Sequence, residues 1–177
     1  MNKNNRTAYI LFAMKQLRER GSWCGETHVQ KTLYLAQELF GLPTNFRYVL
    51  YKHGPYSFEL SDYIQNLISD ELVNVTPRPF YGPTLDVTDS ASHLASKLDS
   101  DGDYSKRIGF LADALCKKTV SDLERIATAE FLIKKFGESM PLDSLALELT
   151  EIKPHVTKEA AQAAFKEVAS LRECAAR

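Results

Sequence analysis

The chain has 177 residues, 44% hydrophobic and 25% charged, with a formal net charge of -1. That length buries roughly two-thirds of the unfolded surface, so no covalent or metal staple is required. The near-zero charge excludes the global positive field of many nucleic-acid binders and leaves any electrostatic preference to local patches.

The N-terminal apolar stretch Ala8 to Met14 is too short for a membrane span and is closely followed by Lys15, Arg18 and Arg20. With no small-residue cleavage site after it, the segment reads as a helix of a cytoplasmic protein. Ile10, Met14 and Leu17 recur at helical spacing, and Gly21 closes the element. In THVQKTLYLAQELFG, Val29, Leu33, Ala36 and Phe40 form a stripe, with Thr27 available as cap and Gly41 as stop. Phe46 to Tyr51 is aromatic and β-branched and reads as a short strand, ended by a Gly54-Pro55 turn.

Ser57 caps a third helix with Leu60, Ile64, Leu67 and Ile68 on its buried side. Two strand-like pieces follow, LVNVT and LDVT, joined by PRPFYGP, a turn too long for a two-residue hairpin. From Asp89 onward the patterns are helical: SHLASKL, DYSKRIGFLADALCKK, a segment opened by a Thr119/Asp122 capping box and closed at Gly137, a helix led by Pro141 and halting before Pro154, and a last helix capped by Thr157. The expected fold is mainly α with a small β-hairpin. A winged-helix-like part occupies residues 1–88, and a helical extension, residues 89–177, packs on it as one compact unit.

Position alone would make the third helix a DNA reader, but from His53 to Val73 the chain has Glu59, Asp62, Asp70 and Glu71 and no Lys or Arg after Lys52. Duplex affinity draws on cations that neutralise phosphate. Even in water, like charges about 4 Å apart repel by roughly 1 kcal/mol, and a partly desolvated groove raises that cost. Lys3, Arg6, Lys15, Arg18 and Arg20 on the first helix, with Arg47 at the extended segment, are the candidate nucleic-acid contacts. The wing offers only Arg78.

The residues better suited to a partner are Tyr51, Lys52, His53, Tyr56, Glu59, Asp62, Arg78, Phe80 and Tyr81, because aromatic and arginine anchors on rigid loops are what protein interfaces favour. Gly54 and Pro55 form the structural turn that sets the entry of the third helix. Arg47 and His53 match an R-x5-H spacing similar to that of HEPN-type ribonucleases, but on an extended segment where those enzymes use a helix. Cys24, Cys116 and Cys174 form no CxxC pair, and His28, His93 and His155 stand apart, so neither a metal nor a cofactor is expected.

HVQKTLYLAQELFG and YVLYKHGPYSFELSDYIQNL together resemble the Panacea (SocA-like) antitoxin domain and its phage-associated relatives. Lys31, Leu33, Tyr34 and Ala36 match that family's K-x-LY-x-A helix, and Gly54 with Pro55 matches its Gly-Pro turn. LERIATAEFL and EIKPHVTKEAAQAAF look like the branch with GPYS at this turn. The resemblance implies a non-enzymatic bacterial or phage-encoded protein that binds a protein from an adjacent gene, neutralising it or handing it to a protease. A DNA-binding regulator of its own operon is the second reading, and a ribonuclease the third.

Overall fold

The structure, a computed structural model, describes residues 3–96 and 103–175. It is mainly α with small antiparallel hairpins.

Helix α1 (Lys3–Glu19) is buried without a break from Ala8 to Met14 and packs against α2 (Glu26–Phe40). Helix α2 is the axis of the molecule. Every residue from His28 to Ala36 is buried, polar ones included, because elements from both halves of the chain surround it. The sequence stripe Val29, Leu33, Ala36, Phe40 is therefore only one side of a helix enclosed on all sides. Its start also differs from expectation. Gly25, not Thr27, is the N-cap and gives no side-chain bond, because a Cβ at Gly25 would lie 2.3 Å from the Trp23 ring. At the other end Gly41 takes the left-handed φ of 65° that the stop signal implied.

The strand expected over Phe46 to Tyr51 is shorter, β1 (Val49–Tyr51), and the Gly-Pro stretch is itself a strand, β2 (Gly54–Tyr56). Tyr51 pairs with Gly54, so the turn is Lys52-His53. Proline is tolerated here because a two-stranded hairpin has only edges. Helix α3 (Phe58–Ser69) starts where Ser57 accepts the Leu60 amide at 3.2 Å, and it buries Leu60, Ile64 and Leu67.

Strands β3 (Val73–Arg78) and β4 (Tyr81–Val87) form the wing. The expected long loop is absent. Pairing continues to Arg78 opposite Tyr81, a bulge between Thr76 and Arg78 takes up Pro77, and the tip is Pro79-Phe80, with Phe80 at a φ of 66°.

The helices α4 (Asp89–Ser96), α5 (Asp103–Leu115), α6 (Val120–Phe136), α7 (Leu142–Ile152) and α8 (Lys158–Ala175) complete the fold, with α5, α6 and α8 against α2 and α4 against α1. Lys97 and Leu98 of the SHLASKL pattern lie outside the described residues. Pro141 occupies the N-cap of α7, one position before the helix proper. A single apolar core runs through both halves, from Ile10, Leu33 and Leu60 to Leu111, Leu132 and Val168.

Thr119 and Asp122 form the reciprocal capping box of α6. Thr119→Ala should lower stability by about 1 kcal/mol and the melting temperature by roughly 2–4 °C, read by thermal unfolding followed by circular dichroism.

Candidate functional site

An enclosed helix must find internal partners for its polar side chains, and Glu26, Gln30 and Lys31 of α2 find them in the β1-β2 hairpin and the Ser57 that follows it. Buried Lys31 donates from Nζ to the Pro55 carbonyl at 2.7 Å. One turn position away, Gln30 clasps Ser57 twice, donating to its carbonyl at 2.9 Å and accepting its amide at 3.1 Å. Tyr56 donates its phenol to Glu26 at 3.0 Å.

Helices α6 and α7 hold the other side. Buried Lys153, the C-cap of α7, donates to the Lys52 carbonyl at 3.1 Å and sits 3.3 Å from Glu124 Oε2. Glu124 Oε1 lies 2.7 Å from His53 Nδ1. Gly54, at a φ of 83°, is pressed against α6 so closely that a Cβ would come within 2.8 Å of Thr128 Oγ1 and 3.3 Å of the Glu124 carbonyl. Of the two buried ammonium groups only Lys153 pairs with Glu124, while Lys31 has a backbone carbonyl of the hairpin as its acceptor and feels Glu124 at longer range. Burial lowers the Lys31 pKa to about 8; Glu124 opposes the shift and Lys153 adds to it.

Tyr51 and Tyr56 of the clamped hairpin and Phe58 at the start of α3 form a ring cluster, with centroids 5.1–6.0 Å apart. Tyr51 is 57% and Phe58 55% exposed, while such rings normally seek burial. Lys52 and His53 stand exposed at the turn beside them. On α3, Asp62 faces solvent and Glu59 pairs with Arg6, whose guanidinium lies 4.9 Å from the Phe46 ring.

Arg78, Phe80 and Tyr81 form a second group on the wing. Arg78 stacks 4.8 Å over Trp23, Tyr81 tilts against the same indole, and Phe80 at the tip is fully exposed. Trp23 also meets His28 edge-on at 4.9 Å. The aromatic residues expected to act together are therefore divided between the two hairpins.

Lys15 and Arg18 of α1 and Arg20 just after it have anionic neighbours: Lys15 has Glu19, Arg18 has Asp86 and the Ser22 carbonyl, and Arg20 has Asp113 at 2.6 Å. Exposed Arg47 has no ion pair among the described residues. It lies in the irregular segment before β1, and His53 lies in the β1-β2 turn, so the R-x5-H pair shares no helix. Burial pushes the Cys24 thiol up to about 12, which makes it a poor nucleophile at neutral pH. Among the described residues no His, Cys, Asp or Glu group could hold a metal ion, and no helix is long and apolar enough to cross a membrane.

Sequence reasoning missed Gln30, Glu124, Lys153 and Trp23. Glu124 carries a legible signal, a carboxylate in line with Ala127 and Phe131 on the inward side of α6. Lys153 carries none, since it becomes buried only when α7 docks. Compared with protein-family models and with curated proteins, the chain matches none.

Gly54→Ala combines a left-handed φ with a Cβ collision, and should cost about 2 kcal/mol or more, seen as a lower denaturant midpoint. The Lys31 pKa falls from 10.5 unfolded to about 8 folded, so the folded state binds fewer protons and stability rises with pH between those values. In that window the melting temperature of the native chain should climb relative to that of Lys31→Met, which lacks the titration.

Proposed function

We propose that the chain is a non-enzymatic protein-binding module of antitoxin or adaptor type, acting in the cytoplasm on a protein encoded by an adjacent gene. The observation that carries this reading is a ring cluster, exposed Tyr51 and half-buried Tyr56 on a hairpin gripped by Lys31, Gln30 and Lys153, with exposed Phe58 at the adjoining start of α3. Rigid aromatic anchors bury area on binding while losing little conformational entropy. Tyr51, Lys52, His53 and Tyr56 form the contact, with Glu59 and Asp62 on its α3 side. Arg78, Phe80 and Tyr81 on the wing supply a second contact.

The family resemblance gives further support. Lys31 of its helix motif and Pro55 of its turn motif are hydrogen-bonded to each other across 24 positions of sequence. Electrostatics favour polypeptide over duplex DNA: α3 offers carboxylates, and Lys15, Arg18 and Arg20 already have anionic partners, which binding to phosphate would have to displace. Exposed Arg47, which has no ion pair among the described residues, is the observation that favours the operon-regulator reading.

Co-expression with the neighbouring gene tests the proposal. The expected outcome is growth arrest by the neighbour alone, relief by this chain, and loss of relief with Tyr51→Ala combined with Phe58→Ala. Removing such anchors typically weakens binding by about 2 kcal/mol or more, roughly 30-fold, measurable by calorimetry on the purified pair. A neighbour that does not bind, together with salt-dependent binding of this chain to the upstream DNA, would replace this reading with the regulator.

A further inference from the structure

Helix α3 already holds one guanidinium between a carboxylate and aromatic rings. Arg6 pairs with Glu59, and its Cζ lies 4.9 Å from the Phe46 centroid and 5.8 Å from that of Tyr63. Glu59 and Tyr63 stand four positions apart, which makes them neighbours on one face of the helix. One position back, Phe58 and Asp62 repeat this pairing of a ring with a carboxylate at the same spacing. Among the described residues no cation pairs with Asp62 or stacks on Phe58.

This second pair faces outward. Phe58 and Asp62 are exposed, and Phe58 meets exposed Tyr51 at 5.5 Å and half-buried Tyr56 at 5.1 Å. Burial raises the Tyr56 pKa, and the carboxylates of Glu26 and Asp62 raise it further against a hydrogen bond with Ser61, so both acids act on the phenol end of the cluster. Neither carboxylate has an ion pair among the described residues. Lys52 and His53 stand at the hairpin turn, where His53 Nδ1 lies 2.7 Å from Glu124, so the α3 side of the cluster is the negative one.

We propose that the ring cluster receives an arginine side chain of the protein partner, its guanidinium stacked on Phe58 and Tyr51 and its N–H groups donating to Asp62. The inference rests on the protein-binding reading and names what the partner must present at that surface. Arginine fits better than lysine, because its planar fork stacks on a ring and meets a carboxylate with two parallel hydrogen bonds, whereas an ammonium is a compact, strongly hydrated charge. A partner carboxylate or phosphate placed here would face Asp62 and Glu26 and be repelled. An apolar side chain would cover Asp62 without giving it a donor.

Calorimetry on the intact chain with the purified product of the neighbouring gene tests the assignment. Asp62→Asn should weaken the pair by about tenfold or more, the worth of a charge-assisted hydrogen bond. Phe58→Leu keeps an apolar side chain but removes the ring face, and should weaken it by about two- to fivefold or more. Both positions are exposed, so the melting temperatures of the variants should stay near that of the native chain. Replacing the partner's surface arginines by alanine one at a time should find one whose loss is non-additive with Asp62→Asn, the sign of direct contact. A pair that forms with native affinity in both variants, or in which no partner arginine couples to Asp62, overturns this inference and leaves the protein-binding reading standing. A neighbour that does not bind the native chain overturns both.

Discussion

A lysine ammonium with no access to solvent must find acceptors inside the protein, and the hydrogen bond from Lys31 to the Pro55 carbonyl is the constraint from which the arrangement of this molecule follows. Helix α2 cannot be surrounded by α5, α6 and α8 unless something accepts from Lys31 and Gln30. The β1-β2 hairpin is that something. Its other side lies flat against α6 because Gly54 lacks a Cβ and adopts a φ closed to most residues. Enclosure of the central helix and placement of the hairpin are therefore one event. Burying ions adds little net stability and is often unfavourable against an apolar substitute, so the lysines are better understood as selecting one geometry than as strengthening the fold.

That selection has a consequence at the surface. Tyr51 and Tyr56 belong to a hairpin anchored from α2 on one side and from α6 and α7 on the other, and Phe58, the first residue of α3, meets both rings, so the cluster rests on fixed backbone. The wing shows a parallel device: the missing Cβ of Gly25 admits the Trp23 ring, which supports Arg78 and Tyr81. In both places a glycine beside a crowded contact lets an aromatic surface sit on rigid backbone. Arg18 of α1 and Arg20 just after it serve a different purpose, tying that end of the helix to β4 and α5 through Asp86 and Asp113.

Local signals in the sequence were legible wherever local chemistry decides the structure. Ser57, Gly41, Gly137 and the Thr119/Asp122 box mark helix ends because caps are formed by neighbours in sequence. The third helix and the last helix show their buried faces as regular stripes for the same reason. What stayed hidden depends on distant contacts. The stripe on α2 understated its burial because the helices that enclose its polar side arrive some 70 residues later or more. Pro55 and Pro77 obscured strand pairing that a hairpin edge and a bulge tolerate. The candidate site was partly readable, since Tyr51, Lys52, His53 and Tyr56 do share a hairpin, but its division from Arg78, Phe80 and Tyr81 depends on Trp23, which no periodicity singles out. Glu124 and Lys153 look like ordinary surface charges until α6 and α7 close over the hairpin.

Amide hydrogen exchange across residues 49–57, at a pH below 8 so that Lys31 is charged, reaches the central claim most directly, comparing the native chain with Lys31→Met. Hairpin amides, including the Ser57 amide held by Gln30, should be protected in the native chain to a degree comparable with the core of α2, and should lose protection selectively in the variant while α5 and α8 keep theirs. Equal protection of the hairpin in both proteins would show that the buried ammonium does not hold it in place.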